Sequence, residues 1–97
     1  MRAVYITEFG GPESLEIREI PEPSVAQGKI KVRVSHAGVN RADILQRRGL
    51  YPGPEGYDPH RPGLEFAGVV AECGAGVSRF NTGNRVFGIT SGEAQAE

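Results

Sequence analysis

Cysteine is nearly absent from this 97-residue chain, and long apolar runs are missing altogether. The lone Cys73 has no partner for an intramolecular disulfide, and His36 and His60 add no recognised zinc spacing around it. The longest apolar stretch, Phe66 to Ala71, falls far short of the ~20 residues that span a bilayer. No apolar segment follows Arg2, so no secretory leader is expected and the expected location is cytoplasmic. A dominant charge is lacking too. Eleven basic against twelve acidic residues give a formal net charge of −1, which draws neither nucleic acid nor an anionic membrane from a distance. The partner is left to local chemistry, and a small molecule is expected.

What is plentiful is glycine and proline, 14 and 7 residues, set between short apolar runs in a chain that is 38% apolar and 24% charged. That pattern reads as frequent turns between strands, and the length leaves room for one domain. Met1 to Glu8 alternates loosely and Leu15 to Arg18 cleanly, giving two strands separated by Phe9-Gly10-Gly11-Pro12. Pro21, Pro23 and Gly28 then break the backbone ladder. Ile30 to Ser35 is the clearest strand: three β-branched residues share one face and Lys31 and Arg33 the other.

Asn40 to Gly49 reads as the single helix. Asn40 suits an N-cap, Asp43 falls three residues later, Arg47 and Arg48 complement the carboxyl end, and Gly49 closes it. Four prolines and three glycines between Leu50 and Gly63 predict a long exposed loop. Leu64 to Cys73 predicts a strand in which Gly68 lets another backbone approach, Gly74-Ala75-Gly76 a turn, and Arg85 to Ile89 the last strand. Ser91 to Glu97 holds no large apolar residue and is expected either to fray or to begin another part of a longer protein. The expected architecture is mainly β, a partly open barrel with one short helix.

The order of several segments carries a resemblance. Val32-Arg33-Val34 leads into Ala37-Gly38-Val39-Asn40-Arg41-Ala42-Asp43, then Gln46-Arg47-Arg48-Gly49-Leu50-Tyr51, then Pro62 to Val70, then Gly83-Asn84-Arg85-Val86. This series resembles the amino-terminal GroES-like catalytic domain of the medium-chain dehydrogenase/reductase superfamily, within it the zinc-free quinone oxidoreductases, and especially the p53-inducible quinone oxidoreductase branch. The resemblance covers roughly residues 1–90, leaving 91–97 as a flexible tail or the start of a nucleotide-binding domain. It implies an NADPH-dependent reductase of quinones, alcohol dehydrogenase-like in fold and homodimeric in the full-length relative. Two other readings stay open: a non-catalytic GroES-like binding or assembly module, and an enoyl or carbonyl reductase of the same superfamily.

Two departures bear on metal chemistry. Zinc-dependent relatives keep Cys in a Cys-x-x-Asp unit and His in a Gly-His-Glu unit, and here Asn40 and Leu64 stand there. An amide is a poor zinc ligand and an isobutyl group is none, so no zinc is expected. Asn84 replaces the usual Asp of a Gly-Asp-Arg-Val unit in a turn. Relatives also carry a Rossmann domain with a phosphate-cradling turn, whereas Gly74-Ala75-Gly76 lacks the third glycine and the helix that would make one.

Without a metal, a carbonyl or quinone oxygen gaining charge needs hydrogen-bond donors, and a phenol serves. Tyr51, in the loop after the helix, is the candidate catalytic donor, since similar enzymes have a substrate-pocket tyrosine there; packing of the loop is its alternative role. By resemblance Asn40 faces the nicotinamide, although N-capping also explains it. Asp43 either satisfies the helix start or orients Asn40 and Tyr51 in a cleft. Gln46, one turn on, either lines the pocket or lies on the surface. Glu65 lies behind the metal in zinc relatives and is expected here in a supporting place near the cofactor, partnered if buried. His36 is expected to face the core or a seam, His60 the surface, and Cys73 to be unreactive for want of a neighbouring cation.

Overall fold

Alternation of branched apolar and charged residues settles five strands, and glycine and proline set their ends. In the computed structural model, which describes residues 1–97, β1 (Arg2–Ile6) pairs antiparallel with β2 (Leu15–Glu19), Arg2 opposite Glu19 and Ile6 opposite Leu15. A single 3₁₀ turn at Pro12–Ser14 joins them. β3 (Ile30–Ala37), β4 (Glu65–Cys73) and β5 (Arg85–Ile89) form a second antiparallel sheet in the order β3-β4-β5, and α1 (Arg41–Arg47) lies between β3 and β4 in the chain. This is the mainly β, partly open architecture expected, with one helix. No helix is long and apolar enough to cross a membrane.

Gly68 does what its position predicted. A Cβ there would enter the Arg33 carbonyl across the β3–β4 pair, so only glycine lets the two backbones approach. On β3, Lys31 is half-buried between Glu22 at 3.1 Å and Glu72 at 3.2 Å. His36 departs from expectation. A register shift between Val34 and His36 leaves Ser35 as an extra residue opposite β4, the strand parity flips, and His36 is exposed instead of facing the core. The Ser35 hydroxyl fills the irregularity by donating to the Ala67 carbonyl at 3.0 Å.

The two sheets meet through the last residues of the chain. Residues 91–97, expected either to fray or to begin another part of a longer protein, are tied by backbone bonds to β1 and β3. The Val4 N–H donates to the Gln95 carbonyl at 2.9 Å, the Glu97 N–H to Arg2 at 3.0 Å, and the Val34 N–H to the Glu97 carbonyl at 2.9 Å. Ala3 and Ala96 form an antiparallel bridge. The absence of large side chains, read as weakness in the sequence, is what lets this segment slot between β1 and β3: Ala3 and Ala94 are both buried, beside Ile6 and Val70. The segment enters by a turn at Glu93, whose φ of 68° is costly for a residue with a side chain. Its N–H donates to the Arg61 carbonyl, and its carboxylate accepts from the Asp58 N–H at 3.2 Å and from Arg61 at 3.3 Å.

Glu97 also grips Arg2 through its carboxylate, taking the Arg2 backbone N–H and Nε at 2.8 Å each. Hydrogen bonding to Arg2, then the Arg2 charge, holds the Glu97 carboxyl below its ordinary range. A carboxyl lowered in the folded state stabilises above its unfolded pKa and loses that contribution as pH falls through the folded value. Urea unfolding from pH 7 to pH 3 should therefore show an acid-side loss that is shallower in Arg2→Gln. Equal acid-side losses in the two proteins would show that this pair does not couple the seam to pH.

Candidate functional site

Asp43 and Gln46 sit one turn apart on the inner side of α1, both buried. Asn40 is the N-cap, with extended backbone (φ −120°, ψ 161°), and its N–H donates to Asp43 Oδ2 at 2.7 Å. The other oxygen, Oδ1, accepts the Gly63 N–H at 3.0 Å in a buried bond. One carboxylate thus satisfies two otherwise stranded donors, one at the helix start and one in the loop that leads to β4. Gln46 is buried and not on the surface. Its Nε2 donates to the Pro59 carbonyl at 2.9 Å and the Arg61 carbonyl at 3.3 Å, anchoring the same loop one turn further on.

The carboxyl end of α1 closes as its sequence implied. Gly49 takes φ 80°, its N–H donates to the Gln46 carbonyl at 2.9 Å, and the Leu50 N–H reaches the Leu45 carbonyl at 2.8 Å. This paired pattern is a Schellman closure, one step beyond the C-cap Arg48. It turns the chain sharply and delivers Tyr51, 37% exposed, to the start of the proline-rich loop. No hydrogen bond of the fold uses the Tyr51 hydroxyl, so the phenol is free to donate outward.

Glu65 opens β4 and is exposed, so its carboxylate has no need of a buried partner. Its side chain lies across Gly38, where a Cβ would enter the carboxylate, and its carbonyl accepts the Gly38 N–H at 3.3 Å. The fold therefore crosses 38–40 with 63–65 and brings Asn40, Asp43 and Glu65 to one corner. Tyr51 follows the other end of the seven-residue helix, which is about 10 Å long at 1.5 Å per residue.

His60 was expected at the surface and is instead half-buried. Its ring stacks on Tyr5, with centroids 5.5 Å apart, and on Phe9, at 5.0 Å. Arg18 covers the far face of Tyr5, 3.8 Å from the ring centroid. The His60 Nδ1 lies 2.6 Å from the Ile6 carbonyl, which accepts, so Nδ1 carries the proton. His60 and Gln46 together keep the loop's second half, 58–63, on the barrel. No pattern of spacing signals this role, because the aromatic partners lie more than 50 positions away.

A cavity of about 890 Å³ is lined by Ile30, Val32, Val34, Phe66, Arg61 and Ala94 among others, and by none of Asn40, Asp43, Gln46, Tyr51 or Glu65. It is barrel interior, separate from the helix corner. Of the cations in its lining, Lys31 is paired with Glu22 and Glu72 and Arg61 with Glu93. Cys73 is half-buried beside the Phe80 carbonyl, with Sγ 3.5 Å from that oxygen.

The family description "Alcohol dehydrogenase GroES-like domain" matches residues 26–97. Quinone oxidoreductase-like protein 2 of Mus musculus is 42% identical over 96 residues, covering 99% of this chain and 27% of that protein. Among solved structures, the human synaptic vesicle membrane protein VAT-1 homolog-like protein superposes with a TM-score of 0.90 at 32% identity, over 100% of this chain and 31% of the other. Escherichia coli quinone oxidoreductase complexed with NADPH superposes with a TM-score of 0.75 at 34% identity, over 90% of this chain and 26% of the other. The chain spans about a quarter of the length of the curated relatives it matches.

Truncating Asp43 leaves two buried N–H groups without acceptors, whereas the Tyr51 hydroxyl holds nothing in place. Chemical denaturation should show Asp43→Ala losing about 2–4 kcal/mol and Tyr51→Phe losing less than about 0.5 kcal/mol. A comparable loss in both variants would mean that the Tyr51 hydroxyl is held by a hydrogen bond within the fold.

Proposed function

Since the chain belongs to the alcohol dehydrogenase GroES-like domain family of the medium-chain dehydrogenase/reductase superfamily, we propose that it forms the substrate side of an NADPH-dependent, zinc-free quinone oxidoreductase in the cytoplasm. The observation that carries the reading is Tyr51: a free phenol at a fixed place, held there by a closed helix end and a loop pinned through Asp43, Gln46 and His60. A neutral hydroxyl of this kind donates to a quinone oxygen as negative charge grows on it, and it costs little reorganisation because its backbone is already set. Asn40 offers a side-chain amide at the opposite end of the helix, facing the nicotinamide side. Asp43 and Gln46 act through position: they hold the helix and the loop that carry Asn40 and Tyr51. Glu65 supports the 38–40 crossing at the nicotinamide corner.

The dinucleotide's diphosphate does not fit this chain's own residues. A diphosphate cradle takes a glycine-rich turn between a strand and a helix, with free N–H groups at the helix start. Gly74-Ala75-Gly76 leads from β4 to turns and β5, with no helix between, and the start of α1 already holds the Asp43 carboxylate, which would repel a phosphate. No step through the cofactor is assigned to these residues, and most cofactor contacts are proposed to lie in the remainder of a longer protein. Val39 at 80% and Leu50 at 68% exposure flank α1 with bare apolar surface. That supports a site closed by another domain over a free-standing binding module, whose corresponding face would be polar.

Replacing the matching quarter of Escherichia coli quinone oxidoreductase by residues 1–97 tests the reading. The chimera should reduce quinones with NADPH, and Tyr51→Phe in it should lower kcat/KM at least about tenfold with folding unchanged. The isolated chain should show no submicromolar binding of NADPH by calorimetry. A folded chimera whose turnover is indifferent to Tyr51→Phe would remove the phenol from the mechanism, and submicromolar binding by the isolated chain would place the cofactor site within it.

A further inference from the structure

The connection between β1 and β2 reaches the end of α1 that delivers Tyr51. Residues 7–14 join the two strands, more than the roughly two to five residues of a hairpin loop, and part of the surplus lies against the helix. The last four carbonyls of a helix have no partner within it. Three are met by the chain at and just beyond the end of α1: Ile44 by the Arg48 N–H at 3.1 Å, Leu45 by that of Leu50 at 2.8 Å and Gln46 by that of Gly49 at 2.9 Å. The fourth, Arg47, is met by the β1–β2 connection. The Gly10 N–H donates to it at 2.8 Å, and Arg47 Nε donates back to the Gly10 carbonyl at 3.0 Å. Phe9, next to this clamp and 48% exposed, sets its ring against two further groups. A Cβ on Gly49 would stand 3.1 Å from Phe9 Cγ, so the side chain covers the helix closure, and its ring stacks on His60 with centroids 5.0 Å apart and planes 17° apart. Gly49 and His60 flank the segment 50–59, and Tyr51 lies in it.

We propose that Phe9 is a positioning residue for Tyr51: one side chain joins the two ends of the segment that carries the phenol and so fixes where its hydroxyl stands. The inference rests on the reading of Tyr51 as the donor to the quinone oxygen. With no hydrogen bond of the fold on that hydroxyl, its place is set by the backbone that leaves the helix at Gly49, where φ is 80°, and by the closure of the segment behind it. Both ends of the segment meet Phe9, so a shift at either end reaches the other through it. The ring is itself well anchored, because Gly10, its neighbour in the chain, is bonded twice to Arg47. A reacting group displaced by about 1 Å can cost on the order of a hundredfold in rate, so loss of the Phe9 ring should be felt in turnover through Tyr51.

The chimera, assayed with p-benzoquinone and NADPH, tests this beside fluorine NMR of the 97-residue chain labelled with fluorotyrosine, in which Tyr51→Phe identifies the Tyr51 signal. Phe9→Leu keeps apolar bulk at a half-exposed position and should leave the circular dichroism spectrum unchanged. It should lower kcat at least about fivefold with KM changed less than about twofold, and Phe9→Tyr, which keeps the ring, should hold kcat within about twofold of the parent. Added to Tyr51→Phe, Phe9→Leu should cost no more than about twofold further, since a residue that acts through the phenol has nothing left to place. In the labelled chain, Phe9→Leu should move the Tyr51 signal toward that of free fluorotyrosine. An unchanged kcat in Phe9→Leu, or a loss that multiplies with that of Tyr51→Phe, would overturn the inference and leave the reading of Tyr51 standing. A Tyr51 signal that moves as expected, in a chimera whose turnover is indifferent to Tyr51→Phe, would overturn that reading and with it any part for Phe9 in turnover.

Discussion

Backbone pairing of residues 93–97 between β1 and β3 is the constraint on which the fold rests. β1 and β2 form one sheet and β3, β4 and β5 another, with no strand-to-strand pairing across them. Only the last segment bonds to both, through Val4 and Arg2 on one side and Val34 on the other. A seam of this kind needs two things from its sequence: backbone donors and acceptors in extended geometry, and side chains small enough to pass beneath the neighbouring strands. Ala96, opposite Ala3, and the buried Ala94 supply the second. Gly63 is part of the same arrangement. It takes φ 119°, its carbonyl accepts the Ala94 N–H at 3.2 Å, and a Cβ there would enter the Gln95 backbone nitrogen.

From that seam the candidate site follows in a short chain of contacts. Gly63 donates to Asp43, Asp43 accepts from the start of α1, Gln46 holds Pro59 and Arg61, and the helix end places Tyr51. Every polar side chain on the inner face of α1 is thus engaged with main chain, leaving the exposed phenol and the half-exposed Asn40 as the groups with capacity for something outside. This division fits a domain whose chemistry is done by neutral donors on a rigid support. The Asp43 carboxylate, buried and doubly bonded, ties the helix start to the loop.

Much of this was legible in the chain. The strands from Ile30 and from Leu64, the helix from Asn40 with its Asp43 contact and Gly49 closure, and the close approach at Gly68 all follow from local pattern, because each is fixed by neighbours within a few residues. What local pattern missed depends on distant partners. His36 lost its parity to a single extra residue at Ser35, which no period reveals. His60 is drawn inward by Tyr5 and Phe9 from the far end of the sequence, and Glu65 is left exposed because it sits at the very first position of β4. The alanines and glycine of 91–97 look inert until the strands they pass between are known. At the site, the residue types suggested hydrogen-bonding groups, but only tertiary contacts separate Tyr51, whose hydroxyl bonds nothing in the fold, from Asp43 and Gln46, which bond main chain.

The seam is tested most directly by removing it. Equilibrium unfolding and native-state amide exchange of a chain ending at residue 93, set beside the 97-residue chain, should show loss of the cooperative transition and of protection at Val4 and Val34. An unchanged denaturation midpoint, with both amides as well protected as before, would show that the two sheets hold together without the last four residues.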